Sequence, residues 1–131
     1  MKIVICASIS LTYKIKKISN ELKKLGYEVE IPFYSKRILN GEISLEEFEK
    51  TKRKNGDIEF RRKAGKDLIK RYFKIIKDAD VILVLNLDKN GIKNYIGGNT
   101  FLEMGFAYVL NKKYFCLIIS LICFIKMKLK L

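Results

Sequence analysis

Asp80 is followed by five apolar residues in succession, Val81-Ile82-Leu83-Val84-Leu85, with no polar residue among them. A strand with one wet face alternates apolar and polar side chains, so an unbroken run demands cover on both faces. It therefore belongs at the centre of a mostly parallel sheet with helices above and below, which narrows the fold to the α/β class. The N-terminal segment agrees. Lys2 to Cys6 is a second compact, β-branched run. From Tyr13 to Leu25 the residues Ile15, Ile18, Leu22 and Leu25 fall at helical spacing, Ser10 or Thr12 is placed to cap the start, and Gly26 stands where helices commonly end. Tyr27 to Ile31 alternates and stops at Pro32, completing a β-α-β unit whose short connections imply parallel pairing.

The middle of the chain predicts helices. Ser44 with Glu47 forms a capping box before one of them, and Asn55-Gly56-Asp57 predicts a break ahead of another over Ile58 to Lys77. A glycine-bearing loop, Asn86 to Asn99, leads into a helix over Thr100 to Leu110 that Asn111 can end, then a strand over Tyr114 to Ile119. Lys126 to Leu131 alternates Lys with apolar residues like a charged edge strand. The expectation is one three-layer α/β domain over residues 1–131, its open, mostly parallel sheet in flavodoxin-like, Rossmann-like order.

Composition excludes several chemistries. Histidine is absent, which removes Ser-His-Asp and Cys-His catalysis and His-ligated zinc. Three cysteines, Cys6, Cys116 and Cys123, form no C-x-x-C pair, so neither a metal site nor a disulfide framework is indicated, and a reducing, cytoplasmic setting fits. The start lacks a signal peptide's long apolar region. Tyr114 to Ile125 spans twelve residues, whereas a membrane helix needs about twenty, so no membrane partner is expected. The net charge is +13, and Lys50 to Lys74 holds eleven Lys or Arg against three acidic residues. Such a run serves as a solvated helix face or attracts a phosphate-bearing ligand. Nucleic acid is the less favoured partner, because 22 of the 27 basic residues are Lys beside 19 Ile, a general compositional bias.

Open parallel sheets bind ligands beyond the carboxyl ends of their strands. Two loops reach that edge: Ala7 to Ser10, and the glycine-bearing loop that ends in Gly97, Gly98, Asn99 and Thr100. Helix-start amides together with Ser8, Ser10, Asn99 and Thr100 side chains suit a sugar hydroxyl or a phosphate, although neither loop is a P-loop or a G-x-G-x-x-G fingerprint. Glu103 is the last acidic residue in the chain. It has two roles open to it: the distal member of a Thr100-Phe101-Leu102-Glu103 capping box, or a carboxylate held ionised by the helix's positive end and available as a nucleophile.

The stretch Gly97-Gly98-Asn99-Thr100-Phe101-Leu102-Glu103-Met104-Gly105-Phe106-Ala107, preceded by Asp78-Ala79-Asp80-Val81-Ile82-Leu83-Val84-Leu85 and followed by Asn111-Lys112-Lys113, resembles the nucleoside 2-deoxyribosyltransferase superfamily, including its 2′-deoxynucleoside 5′-phosphate N-hydrolase-like members. The opening strand and Leu25-Gly26-Tyr27-Glu28-Val29 are similar too, so the likeness covers most of residues 2 to 115. It implies that Glu103 attacks C1′ of a deoxyribose, expels the base and leaves a glycosyl ester that water or a second base resolves, as in retaining glycosidases. It further implies that Ser8 and its loop bind sugar or phosphate, that Gly98 and Asn99 approach the sugar, that the partners are a nucleoside or nucleotide and a second copy of the chain, and that no metal or organic cofactor takes part.

Two departures from the resemblance bear on activity. The aspartate that usually orients or protonates the base falls, by spacing, near Tyr72, the second candidate catalytic residue, whose hydroxyl can donate a hydrogen bond but is a poorer acid; Asp80 and Asp88 are the candidate substitutes. After Phe115 the chain reads Cys116-Leu117-Ile118-Ile119-Ser120-Leu121-Ile122-Cys123, and residues 116–131 form an atypical tail of the kind a shortened or frameshifted reading frame produces. A noncatalytic nucleotide-binding module of the same fold is the alternative, and a basic nucleic-acid-binding protein the third.

Overall fold

A computed structural model of the chain describes residues 1–63 and 68–116. Four strands, β1 (Lys2–Cys6), β2 (Glu28–Glu30), β3 (Val81–Val84) and β4 (Lys113–Cys116), form one all-parallel sheet in the order β2-β1-β3-β4. Five helices accompany them: α1 (Thr12–Lys24), α2 (Phe33–Leu39), α3 (Leu45–Lys63), α4 (Leu68–Lys77) and α5 (Gly98–Val109). This is the α/β parallel-sheet architecture that the apolar run at Val81 implies. Strand β3 does lie between two neighbours and is covered on both faces. On one side Ile3, Ile5, Leu83 and Leu85 pack against Ile15 and Leu22 of α1. On the other Val4, Cys6, Ile82 and Val84 pack against Tyr72 and Ile76 of α4 and Ala107 of α5.

Three helices close in one way. The amides of Gly26 and Tyr27 bond back to the Lys23 and Leu22 carbonyls (3.0 and 3.2 Å), and the same pair of bonds recurs after α2 at Gly41 and Glu42 and after α5 at Asn111 and Lys112. Each closure needs one left-handed residue, and Gly26, Gly41 and Asn111 supply it with φ of 92°, 76° and 56°. The Ser44–Glu47 capping box forms as expected, with the Glu47 amide donating to Ser44 Oγ at 3.0 Å and the Ser44 amide to Glu47 Oε2 at 3.3 Å.

Other expectations are corrected. Helix α3 passes through Asn55-Gly56-Asp57 without the predicted break, because one interior glycine costs only about 1 kcal/mol and good helix formers precede it. Helix α2 was not expected; it forms directly after Pro32, which caps it with an extended backbone. Helix α1 starts behind Leu11 with no side-chain cap: Ser10 bonds Ser8, and Thr12 Oγ1 bonds the Ile9 carbonyl and buried Ser35. Strand β4 opens one residue earlier than expected, and most of the tail 116–131, with its expected edge strand, lies outside the described residues. Among the described residues no helix is long and apolar enough to cross a membrane.

Candidate functional site

The carboxyl ends of β1 and β3 lie side by side at the middle of the sheet, joined by the Leu85 amide donating to the Cys6 carbonyl at 3.1 Å. From β1 the chain enters a 3-10 turn, Ile9–Leu11. From β3 it enters a loop whose tip, Asn90-Gly91, has positive φ at both residues and returns the Lys89 and Ile92 amides to each other's carbonyls. Asp88 accepts the Asn94 amide at 2.9 Å and so closes this loop, while Asp80 sits at the amino end of the sheet, bonded to the Lys2 amide. Neither aspartate lines the cavity described below.

Helix α5 begins two residues earlier than the sequence predicts, with Gly97 as N-cap in an extended conformation. Thr100 consequently lies inside the first turn with its side chain buried, and Glu103 falls in the second turn. The capping-box role is thereby removed. So is the strongest part of the dipole argument, since a helix terminus acts mainly over its first turn.

Glu103 instead interacts with two buried side chains from other elements, Cys6 by a thiol hydrogen bond and Tyr72 through charge. The Cys6 thiol, at the carboxyl end of β1 and fully buried, donates toward the Glu103 carboxyl. Tyr72, from α4, shares the same core cluster as Cys6, and its hydroxyl donates to the Ile5 carbonyl at 2.6 Å. Burial pushes the Glu103 pKa up to about 8, with the thiol contact pulling the other way. The Cys6 thiol is held well above its ordinary value by burial, then by the charge of Glu103; the Tyr72 phenol is held well above its own by burial, then by Cys6 and Glu103. A protonatable carboxyl in an apolar wall is the environment that sets catalytic carboxylates apart from surface ones.

Glu103, Tyr72 and Asn99 line a cavity of about 580 Å³. The rest of its lining includes an aromatic and basic wall, with Phe33, Tyr34, Lys36 and Arg37 from α2 and Arg71 from α4, together with aliphatic residues and the carboxylates Glu30 and Glu42. Of the other residues singled out in the sequence, Ser8 and Ser10 flank Ile9, which does line the cavity; their hydroxyls bond each other at 2.8 Å, and Lys89 donates to Ser8 Oγ at 3.0 Å. Gly97, Gly98 and Thr100 build the start of α5 behind Asn99 rather than the cavity wall. Among the described residues no group of three or more cysteine and carboxylate side chains is gathered so as to hold a metal ion.

Two features escape the sequence. The cationic wall depends on α2, which the apolar periodicity does not announce. Asn86, directly beyond β3, is 7% exposed, and its Oδ1 is the one buried side-chain oxygen or nitrogen without a hydrogen-bond partner among the described residues. A polar residue ending an apolar strand run at the switch point was the available signal.

Compared with known proteins, the chain matches no family model and no curated sequence.

Proposed function

We propose that this protein cleaves or transfers at the N-glycosidic bond of a deoxyribonucleoside or deoxyribonucleoside 5′-phosphate, with Glu103 as the nucleophile. The observation that carries the proposal is a half-buried carboxyl of raised proton affinity on the wall of an aromatic-lined cavity at the carboxyl edge of a parallel sheet. The sugar is placed against Asn99 and the β1 loop, where Ser8, Ser10 and Lys89 offer hydroxyls and a cation to a 5′-phosphate. Ionised Glu103 attacks C1′, the C1′–N bond breaks, and the resulting ester passes the sugar to water or to a second base. Tyr72 acts here as a positioning residue, its proton committed to the Ile5 carbonyl. Exposed Phe101, Tyr108 and Val109 on α5 support a homo-oligomer as the working form.

The test is chromatographic detection of free base from a panel of deoxynucleosides and their monophosphates, with and without an acceptor base. Acceptor dependence separates transferase from hydrolase. Because Glu103 must be ionised to attack, kcat/KM is expected to rise roughly tenfold per pH unit up to about 8 and then level off. A flat profile over that range would remove Glu103 from the rate law. Asn86→Leu is expected to leave the melting temperature equal or slightly higher, since the oxygen it removes has no partner, and calorimetry on the variant checks it.

The same proton affinity favours a second proposal, a noncatalytic nucleotide-binding module. With a pKa of about 8, only roughly a tenth of the Glu103 carboxyls are ionised at neutral pH. That module is stabilised by nucleotide without releasing base, and Glu103→Gln leaves the stabilisation unchanged.

A further inference from the structure

The wall that α2 and α4 contribute to the cavity is aromatic and cationic together. The Arg71 guanidinium carbon lies 4.9 Å from the centre of the Phe33 ring, and that of Arg37 lies 6.0 Å from the same ring and 5.9 Å from Tyr34. Lys36 is close enough that its pKa is lowered, first by burial and then by Arg71. Glu30 pairs with Lys36 and Glu42 with Arg37, whereas Arg71 has no carboxylate partner among the described residues. Arg71, Arg37 and Lys36 line the same cavity as Glu103.

Imidazole and free carboxyl proton donors for a departing base are scarce, and the Lys36 ammonium that lines the cavity is held in an ion pair with Glu30. The chain has no histidine, the Tyr72 hydroxyl is spent on the Ile5 carbonyl, and Glu30 and Glu42 are held in ion pairs. We infer that the cavity expels the base as an anion, stabilised by Arg71 and its neighbouring cations, and that its substrates carry acidic, carbonyl-bearing bases. This rests on the glycosidic-bond proposal. A Glu103 oxygen forms its bond to C1′ as the C1′–N bond breaks, and that electron pair leaves on the ring nitrogen and spreads over the base carbonyls. Water then attacks C1′, the ester bond returns its electrons to the Glu103 carboxylate, and the proton from water neutralises the base. A phosphate would also be drawn to the cations, but the rings of Phe33 and Tyr34 suit a flat ligand, and the hydroxyl-bearing loop at Ser8 suits phosphate better.

The test is calorimetric binding of free bases to the full chain at neutral pH, comparing 5-nitrouracil, which is anionic there, with neutral uracil. The nitrouracil anion is expected to bind about tenfold or more tightly. Arg71→Gln should bring the two affinities together, and Arg71→Lys should keep most of the difference. Equal affinities in the natural protein, an unchanged ratio in Arg71→Gln, or displacement of the anion by inorganic phosphate at similar concentration would each overturn the inference. If Arg71→Gln does not fold, the ratio in the natural protein decides alone. Base release is scored separately: release without anion selectivity keeps the Glu103 chemistry and discards the anionic leaving group, whereas selectivity without release overturns the Glu103 chemistry and the leaving group with it.

Discussion

Glu103→Gln is expected to abolish base release, by about a thousandfold or more, and at the same time to make the protein harder to melt at alkaline pH. The loss follows from removing the nucleophile, since an amide oxygen forms no stable glycosyl ester. The gain follows from linkage. The folded protein holds the Glu103 proton up to a pKa of about 8, whereas in the unfolded chain the carboxyl ionises near its ordinary value of 4.5. As pH rises between those two values the native state binds more protons than the unfolded state, so stability falls, and above about 8 the full cost of a buried charge is present. Glutamine carries no such cost. Solvent reaching the cavity reduces the effect, leaving an expected gain of roughly 2 kcal/mol near pH 9 that vanishes near pH 4. Denaturant titrations of both proteins at the two pH values measure it; a variant less stable than the natural chain at alkaline pH would show that Glu103 is ionised and well solvated in the native state.

Ile76→Ala is expected to cost about 2–5 kcal/mol of stability. Ile76 is fully buried on α4, one helical turn beyond Tyr72, in the cluster that also holds Cys6, Val84 and Ala107. Removing its branched side chain leaves a void beneath the helix that carries both Tyr72 and Arg71. The melting temperature should fall by roughly 10 °C, and base release measured well below the melt should fall beyond the unfolded fraction, because Tyr72 and Glu103 lose a common support. Ile76→Val, costing about 1 kcal/mol, should lie between on both scales. Normal turnover in folded Ile76→Ala protein would show that the site does not depend on how α4 is seated.

The sheet was legible because its signals are local. Unbroken apolar runs mark central strands, and Gly26 and Asn111 mark helix ends through the one backbone conformation each tolerates well. The same local logic fails at Thr100 and Glu103, whose spacing imitates a cap. Gly97 takes that position because Thr100 is drawn into the core, and only the packed structure shows it. Asn55-Gly56 looks like a turn, yet the helix begun by the Ser44–Glu47 box continues through it. The contact between Cys6 and Glu103 joins β1 to α5, and the cationic wall joins α2 to α4. No periodicity within either segment contains that information.

The parallel sheet also sets the order of assembly. Strand β1 reaches β2 across a single helix, but its other neighbour arrives much later, and the bond from the Lys2 amide to Asp80 spans 78 positions. Long loops of this kind are slow to close and come together after local structure. Helix α5, which delivers Glu103 to Cys6, follows later still. On a ribosome the first β-α-β unit is available well before the cavity acquires its carboxyl, so a cavity ligand added during synthesis acts only on chains that have already made α5, favouring that docking step without influencing the earlier ones.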